Sequence, residues 1–187
     1  MPLLRTMAVG VLLALASAGL TGCGGDAPPP PEPSSPVHEG HNPADVDFAR
    51  SVVALHSQEI QLADLAGRRA ESQRVKDLAE RIEPRRRGEL ERAEEFLRDW
   101  RAPGPDTAAP DAGAGQIPGV ATEAQLKELS DADGPAFDQR FTETLLKHRQ
   151  GAIAVAQTEL RHGISPGAKR MAIEMLNTQQ REITELR

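Results

Sequence analysis

The sequence predicts an all-α protein, a four-helix bundle made of two helical hairpins. Apolar residues recur every three or four positions along four long segments, which is the spacing of one helix face. Alternating runs of β-branched and aromatic residues, which are typical of strands, are absent from the 187 residues. The second half of the chain also repeats the residue order of the first. The predicted bundle spans residues 43–187 and includes a Pro-, Gly- and Ala-rich loop at 102–121.

The first 22 residues have the pattern of a signal peptide. Arg5 supplies a short positive region, and an apolar run extends from Ala8 to Leu20. Leu20-Thr21-Gly22-Cys23 looks like a lipobox, in which the cysteine thiol receives lipid and becomes the first residue after cleavage. We therefore expect an extracytoplasmic lipoprotein, anchored to the membrane through lipid on Cys23. The alternative is an ordinary secreted protein in which this cysteine occurs by chance.

Residues 23–42 are predicted to form a disordered tether. They are rich in Gly, Pro and Ser and include four consecutive prolines, so they can bury little apolar surface. His38 and His41 could hold Cu(II) or Zn(II) through two imidazoles. They are more typical of ordinary polar residues in a linker, because a flexible pair of histidines lacks a preformed geometry.

Composition argues against several classes of function. The net charge is −6, and the leader contributes only the positive charge of Arg5, so the chain after cleavage is more acidic still. An acidic protein with one Trp and no Tyr offers nucleic acid neither a basic surface nor stacking rings. Cys23 is the only cysteine in the sequence, which leaves no disulfide within these residues.

Capping residues place the first two long helices. Asn42 as N-cap and Pro43 at the first position open the first helix, which we expect to end near Gly67. The second helix is expected to begin near Glu71. Pro84 lies in its middle and lacks an amide donor, so the helix should kink or break at that residue.

Similar signals place the helices of the second half. Thr122 and Gln125 have the spacing of a capping box and predict a short helix. The third long helix is expected from around Pro135 to Gly163. The fourth should begin after Ser165-Pro166.

Each half has a histidine about two turns into the first helix of its hairpin, at His56 and His148. The most specific stretch begins at Gly134-Pro135-Ala136-Phe137-Asp138, and Ile117-Pro118-Gly119-Val120 precedes it. These residues resemble the domain-of-unknown-function 305 family over roughly residues 45–187. The resemblance implies an exported, ferritin-like four-helix bundle.

The resemblance also implies metal handling. The family's helices carry a Met, a His-His pair and then Met-Ala, and some members are linked to copper. Thioether sulfur favours Cu(I), and imidazole suits either oxidation state of copper. Such a site would bind a metal rather than catalyse a reaction.

This chain departs from the family pattern in one direction. Aliphatic residues stand where the family has Met: Val52, Leu62, Ala93, Ile117, Val120, Leu145, Val155 and Leu186. Each His-His pair keeps one histidine, as Leu55-His56 and His148-Arg149. Leu in place of Met keeps core volume but removes a sulfur ligand, and Arg149 adds a positive charge where a cation would lie. We therefore expect that most of the soft-metal capacity has been lost.

Two interpretations of His56 and His148 follow from helical spacing, which turns both toward the inside of the bundle. They could form a residual metal site between the hairpins. They could instead be buried histidines that hydrogen-bond to neighbours such as Glu59 or Gln150. Two ligands without a third make a weak site, which favours the second interpretation.

Three further motifs favour structural roles. A single Glu159-x-x-His162 at a helix end falls short of the two copies and two extra glutamates of a di-iron bundle. Arg85-Arg86-Arg87 could touch anionic lipid but is more typical of a solvated, charge-paired helix face. Met171 and Met175 are expected in the core.

The sequence therefore predicts a non-enzymatic binding or interaction module of the cell envelope, with no resident cofactor and an unknown protein partner. The alternative is an envelope copper-binding or copper-storage protein that uses His56 and His148. A ferritin-like oxidase is a third class, which would require bound iron and inward-facing carboxylates.

Overall fold

The structure is a computed structural model that describes residues 40–105 and 117–186. The signal peptide, Cys23, His38 and most of the tether lie outside the described residues. All regular structure in the described part of the chain is α-helical. The helices are α1 Pro43–Arg69, α2 Gln73–Glu80, α3 Ile82–Asp99, α4 Glu123–Ser130, α5 Gly134–His162 and α6 Pro166–Leu186.

The long helices pack as two hairpins, as predicted. In the first hairpin α1 runs along α2 and α3, and in the second α5 runs along α6. The hairpins join mainly where α1 packs against α5, and the short α4 lies on α5. None of these helices is long and apolar enough to cross a membrane.

Two hydrophobic clusters fill the bundle, one toward each end. The first gathers Phe48, Val52, Leu55, Leu97, Ala156, Met171 and Met175 with smaller neighbours. The second gathers Leu62, Ala66, Val75, Ile82, Phe137, Phe141 and Leu145. On all four long helices the residues between these clusters are polar, so a polar layer crosses the middle of the bundle.

Two of the predicted helix starts, at Asn42 and Thr122, are confirmed by their caps. The Asn42 side chain accepts a hydrogen bond from the Asp45 amide at 3.1 Å, and the Asp45 carboxylate accepts from the Asn42 amide at 2.6 Å. Thr122 and Gln125 form the second capping box. The first helix continues past Gly67 to Arg69, because nothing in the local backbone requires the special conformation of glycine there.

The break in the second long helix lies at Arg81, three residues before Pro84. A break at this point places Pro84 in the first turn of α3, where amide groups have no intrahelical acceptor. The missing N–H of proline then costs no hydrogen bond. The prediction of a break was correct, and its position follows from the proline's preference for a first turn.

Each hairpin binds the corner of the other through equivalent hydrogen bonds. Asp45 in the first turn of α1 accepts hydrogen bonds from two backbone amides at the α5–α6 corner, at 2.8 and 3.0 Å. Asp138, 93 residues later, accepts from two amides at the α1–α2 corner, at 2.8 and 3.1 Å. Ser72 and Ser165 are also 93 residues apart, and each hydroxyl caps the amide three residues later at 3.3 Å. The duplicated hairpins are therefore related by a constant offset of 93 residues.

The segment that leads into α4 crosses α1 and α5. Gln58 donates from Nε2 to the Ala121 carbonyl at 2.9 Å and accepts from the Ala121 amide at 2.7 Å. On α5, a Cβ atom at Gly151 would overlap the carbonyl oxygen of Pro118. Glycine at position 151 is therefore required by a close approach of two backbones.

Helix α3 ends in a Schellman motif. Ala102 donates to the Leu97 carbonyl at 2.9 Å, and Arg101 donates to the Arg98 carbonyl at 3.0 Å. In such a motif the residue after the C-cap has a left-handed conformation. In this chain that residue is Arg101, with φ of 53°. Glycine is usual at this position, and a residue with a Cβ atom costs roughly 1–2 kcal/mol.

Replacement of Gly151 by Ala should destabilise the bundle by about 1–3 kcal/mol, because the new methyl group has no room against Pro118. Gly88→Ala is the matched control, since it also adds one Cβ within a helix but meets no atom within 4 Å. That control should gain up to ~1 kcal/mol from helix propensity. Urea denaturation of both variants measures the difference, and equal stabilities would contradict the close approach.

Candidate functional site

The candidate site is the polar layer between the two hydrophobic clusters. Each of the helices α1, α3, α5 and α6 contributes to it. Its buried members are His56, Glu59, Arg86, His148, Arg149, Gln179 and Glu182, and Glu89 lies at its edge. Several ionic groups packed inside a small bundle must compensate one another, since a buried charge without a partner is very costly.

Glu59 of α1 is the centre of this layer. Its side chain is inaccessible to solvent, Arg86 Nε donates to Oε2 at 2.8 Å, and Arg149 Nη2 lies 3.1 Å from Oε1. Burial alone would raise the pKa of Glu59, but the positive fields of Arg86 and Arg149 outweigh it and lower the pKa to about 2. The carboxylate therefore stays ionised inside the bundle.

Glu182 of α6 completes the layer. It accepts hydrogen bonds from both Arg86 and Arg149, and Arg85 reaches it from the edge at 2.9 Å. Gln179 accepts a further bond from Arg149 at 3.1 Å. The three carboxylates Glu59, Glu89 and Glu182 face three guanidiniums, which balances the charge of the layer when its histidines are neutral.

Both predicted histidines lie in the layer. His56 Nε2 is 2.8 Å from Oε2 of Glu89, and its Nδ1 is 4.0 Å from the Glu59 carboxylate. His148 Nε2 is 3.9 Å from the same Glu59 oxygen. Burial lowers the pKa of His148 to about 4, although Glu59 opposes this shift, so its imidazole is neutral near pH 7. Of the two partners suggested by the sequence, Glu59 is a neighbour, whereas Gln150 is exposed.

Contacts in the first hairpin correspond to contacts 93 residues later in the second hairpin. His56 with Glu89 in the first hairpin corresponds to Arg149 with Glu182 in the second. A guanidinium thus occupies the place in the second hairpin that an imidazole occupies in the first. His148 corresponds to Leu55, which agrees with the pairing of Leu55-His56 with His148-Arg149 in the sequence.

The interpretation of Arg85-Arg86-Arg87 as a solvated helix face was wrong for its middle member. Arg85 and Arg87 are exposed, but Arg86 is 1% exposed and reaches the centre of the bundle. Its position could have been found from spacing, because it is four residues after Ile82 and seven before Ala93 on the inward stripe. Charge obscured that signal, as it did for Glu59 and Glu182.

A second buried acidic pair lies where α1 meets the α5–α6 corner. Asp45 and Glu159 are both inaccessible to solvent. Burial, followed by the charge of Asp45, raises the pKa of Glu159 to about 8, while Lys169 of α6 acts weakly in the opposite direction. Burial also acts to raise the pKa of Asp45, but backbone amide donors outweigh it and hold that pKa below its usual value.

The other motifs do not converge on a site. His162 is exposed at the end of α5 while Glu159 points inward, so the two residues do not form a pair of ligands. Met171 and Met175 are buried in the first hydrophobic cluster. Across residues 40–105 and 117–186, no group of three or more His, Cys, Asp or Glu side chains is arranged to hold a metal ion.

The fold and site define a class of protein, a helical bundle of two duplicated hairpins that meet on a buried ionic layer. A family model described as Domain of unknown function (DUF305) matches residues 45–187. The chain belongs to the DUF305 family. No curated protein matches the chain.

Solved structures of the family have the same fold. A DUF305 protein from Streptomyces coelicolor is 25% identical with a TM-score of 0.67, covering 76% of this chain and 89% of its own. A DUF305 fragment from Deinococcus radiodurans is 26% identical with a TM-score of 0.69, covering 78% and 93%. CopM in its Cu(II)-bound form is 23% identical with a TM-score of 0.64, covering 76% and 92%, a likeness that concerns the fold alone.

Glu159 should contribute a fall in stability as pH rises from about 4.5 to about 8, because folded Glu159 retains a proton that the unfolded chain releases. The lowered pKa of His148 contributes a rise between about pH 4 and pH 6.5, so the net fall of the wild type is expected above pH 6.5. The Glu159→Gln variant cannot ionise there, so its free energy of unfolding should lose this dependence and exceed that of the wild type at pH 9 by a few kcal/mol. Urea titrations between pH 4 and pH 9 test this. Glu143→Gln, an exposed change on the same helix, should follow the wild-type curve, and so should Glu159→Gln if the buried pair is misassigned.

Proposed function

We propose that this protein is a non-enzymatic lipoprotein of the cell envelope, anchored through Cys23, in which an ionic layer has replaced soft-metal chemistry. The folded domain acts as a helical module that contacts other envelope components. The signal-like leader and the Leu20-Thr21-Gly22-Cys23 sequence support export and anchorage.

The observation that carries the proposal is the position of Arg86 and Arg149. Their guanidiniums lie on the Glu59 carboxylate, at the point where the two imidazoles also approach. Arginine has no lone pair to offer a metal and stays cationic in proteins. A cation entering this layer would meet two fixed positive charges and carboxylates that are already paired.

The methionine sulfurs of the described residues, which a soft-metal site would use as ligands, lie in a hydrophobic cluster and not in the polar layer. The described residues include two methionines, Met171 and Met175, both on α6 and both packed among aliphatic side chains of the first cluster. Val52, Leu145 and Val155, which stand at the family's Met positions, are buried hydrophobic residues here. Core packing is thereby kept while affinity for Cu(I) is removed.

A second candidate function is copper binding through His56 and His148. One observation favours it, because both imidazoles lie within 4.0 Å of the same Glu59 oxygen. CopM, which shares the fold, has been solved in Cu(I)-bound and Cu(II)-bound forms. In this chain the copper would have to displace the guanidiniums from Glu59.

Competition for Cu(I) between the protein and a chelating indicator separates these functions. The test uses the chain from residue 23 onward with Cys23→Ser, which removes the sole thiol. We expect the protein to take no copper from the indicator, because the layer offers two imidazoles beside fixed positive charge. The His148→Ala variant on the same background should behave identically.

Uptake of one equivalent of copper that is lost in the His56→Ala or His148→Ala variant would contradict the proposal. It would establish copper binding in its place. Mass spectrometry of the Cys23 peptide from cell membranes tests the anchor separately, since an unmodified thiol would remove that part of the proposal.

A further inference from the structure

One end of the bundle presents exposed cationic and apolar side chains together. It comprises the first turn of α1, the last turn of α3 and the α5–α6 corner. Contacts join these parts: Asn42 donates to the His162 carbonyl at 2.8 Å, and the rings of His41 and Trp100 stack with centroids 5.0 Å apart. The described residues begin here, at Gly40, so the N-terminal segment joins the bundle at this end.

Exposed charges at this end are mainly positive. The terminal turns and the two residues after α3 present Arg98, Arg101, Arg161 and Lys169 to solvent or partly so, and among the described residues of these turns Asp99 is an exposed acid. Just beyond them Asp47 and Glu94 are also exposed, and they pair with Arg50 at 3.7 Å and with Arg98 at 3.9 Å. The two other acids of these turns, Asp45 and Glu159, are buried. Among the described residues, this end therefore has a small excess of positive charge, although the formal charge of the chain is −6.

Arg101 is the least expected of these cations. It holds a left-handed conformation that favours glycine, and its guanidinium makes no hydrogen bond or ion pair with the described residues. Arginine thus costs the fold stability at a position where its side chain makes no hydrogen bond or ion pair with the described residues. A cation that is strained, exposed and without a partner among the described residues is well placed for a contact outside the bundle.

Apolar groups accompany the charges. Ile164 is 55% exposed, because its amide is held by Asp45 at 3.0 Å and its side chain projects outward from the corner. Trp100 is half-buried on the stack of Phe96, with ring centroids 5.2 Å apart. Cations mixed with Trp and Ile are the residues that bind at the interface of an anionic bilayer.

We propose that this end, formed by Arg98, Trp100, Arg101, Arg161, Ile164 and Lys169, is a docking surface for an anionic phospholipid bilayer. It rests on the proposed export and anchorage. The 17 residues from Cys23 to Glu39 can span at most about 60 Å, so the anchor keeps this end near lipid headgroups. Even weak contacts then suffice, because tethering makes the encounter intramolecular.

The test uses the chain from residue 23 onward with Cys23→Ser, so that no acyl chain contributes to binding. Trp100 is the only Trp and the chain has no Tyr, so its fluorescence reports directly on this surface. We expect a blue shift with vesicles of phosphatidylglycerol and phosphatidylcholine, weakened by salt, and little change with phosphatidylcholine alone.

Three variants make the test specific. Arg101→Gly should weaken binding about fivefold while raising the melting temperature, since it removes a charge and a strained conformation together. Arg101→Lys should retain binding, and Ile164→Ser should weaken it with the fold intact. Arg68→Gln removes the same charge from the opposite end of α1 and should bind as the parent does.

Absence of a blue shift with phosphatidylglycerol would overturn the proposal, and so would equal binding by the parent and Arg101→Gly. Equal weakening by Arg68→Gln would also overturn it, because the attraction would then depend on overall charge. The copper competition and the state of the Cys23 thiol are measured separately, so failure of the docking surface is distinguishable from failure of the proposed function.

Discussion

Glu59 lies inside the bundle, inaccessible to solvent, and it is stable there because guanidiniums reach it from two other helices. Arg86 comes from the partner helix of its own hairpin, and Arg149 comes from the second hairpin. Both guanidiniums also bind Glu182, so one network joins α1, α3, α5 and α6. The relative register of the four helices depends on this geometry. A shift of the apolar side chains above and below the layer would cost far less free energy than a separation of the buried ions.

Most of the fold was predictable because its signals are local. The caps at Asn42 and Thr122 and the apolar stripes depend on residues three or four positions apart, and each was confirmed. The break near Pro84 was predicted, but its position depended on where a proline costs least. The 93-residue offset was harder to find, because it is carried by contacts such as those of Asp45 and Asp138 between distant corners.

The centre of the site was not predictable in the same way. Glu59, Arg86 and Glu182 have the spacing of core residues, but single charged side chains are normally placed at the surface. Their burial is energetically possible only because the fold brings these opposite charges together from different helices. His56 and His148 were correctly expected to point inward, and the carboxylates beside them, Glu89 and Glu59, are themselves paired with guanidiniums.

The ionic layer also suggests how one fold can support different chemistry within a family. The 93-residue equivalence pairs His56 and Glu89 with Arg149 and Glu182, so a single substitution exchanges an imidazole for a guanidinium while its acidic partner stays in place. A metal ion and a guanidinium both compensate buried negative charge, but only the metal can exchange with solvent. Under the proposed function, the layer is a fixed structural element and the exposed surface makes the contacts with other envelope components.

The most direct test of this account is the free energy of unfolding of Arg149→Met, measured against Arg92→Met. Arg149→Met should lose about 3–5 kcal/mol, because it leaves buried carboxylates without their partner. Arg92 forms an exposed ion pair with Glu174 at 3.0 Å, and its loss should cost less than about 1 kcal/mol. If Arg149→Met lost no more than Arg92→Met, the buried layer would not be the interaction on which the bundle depends.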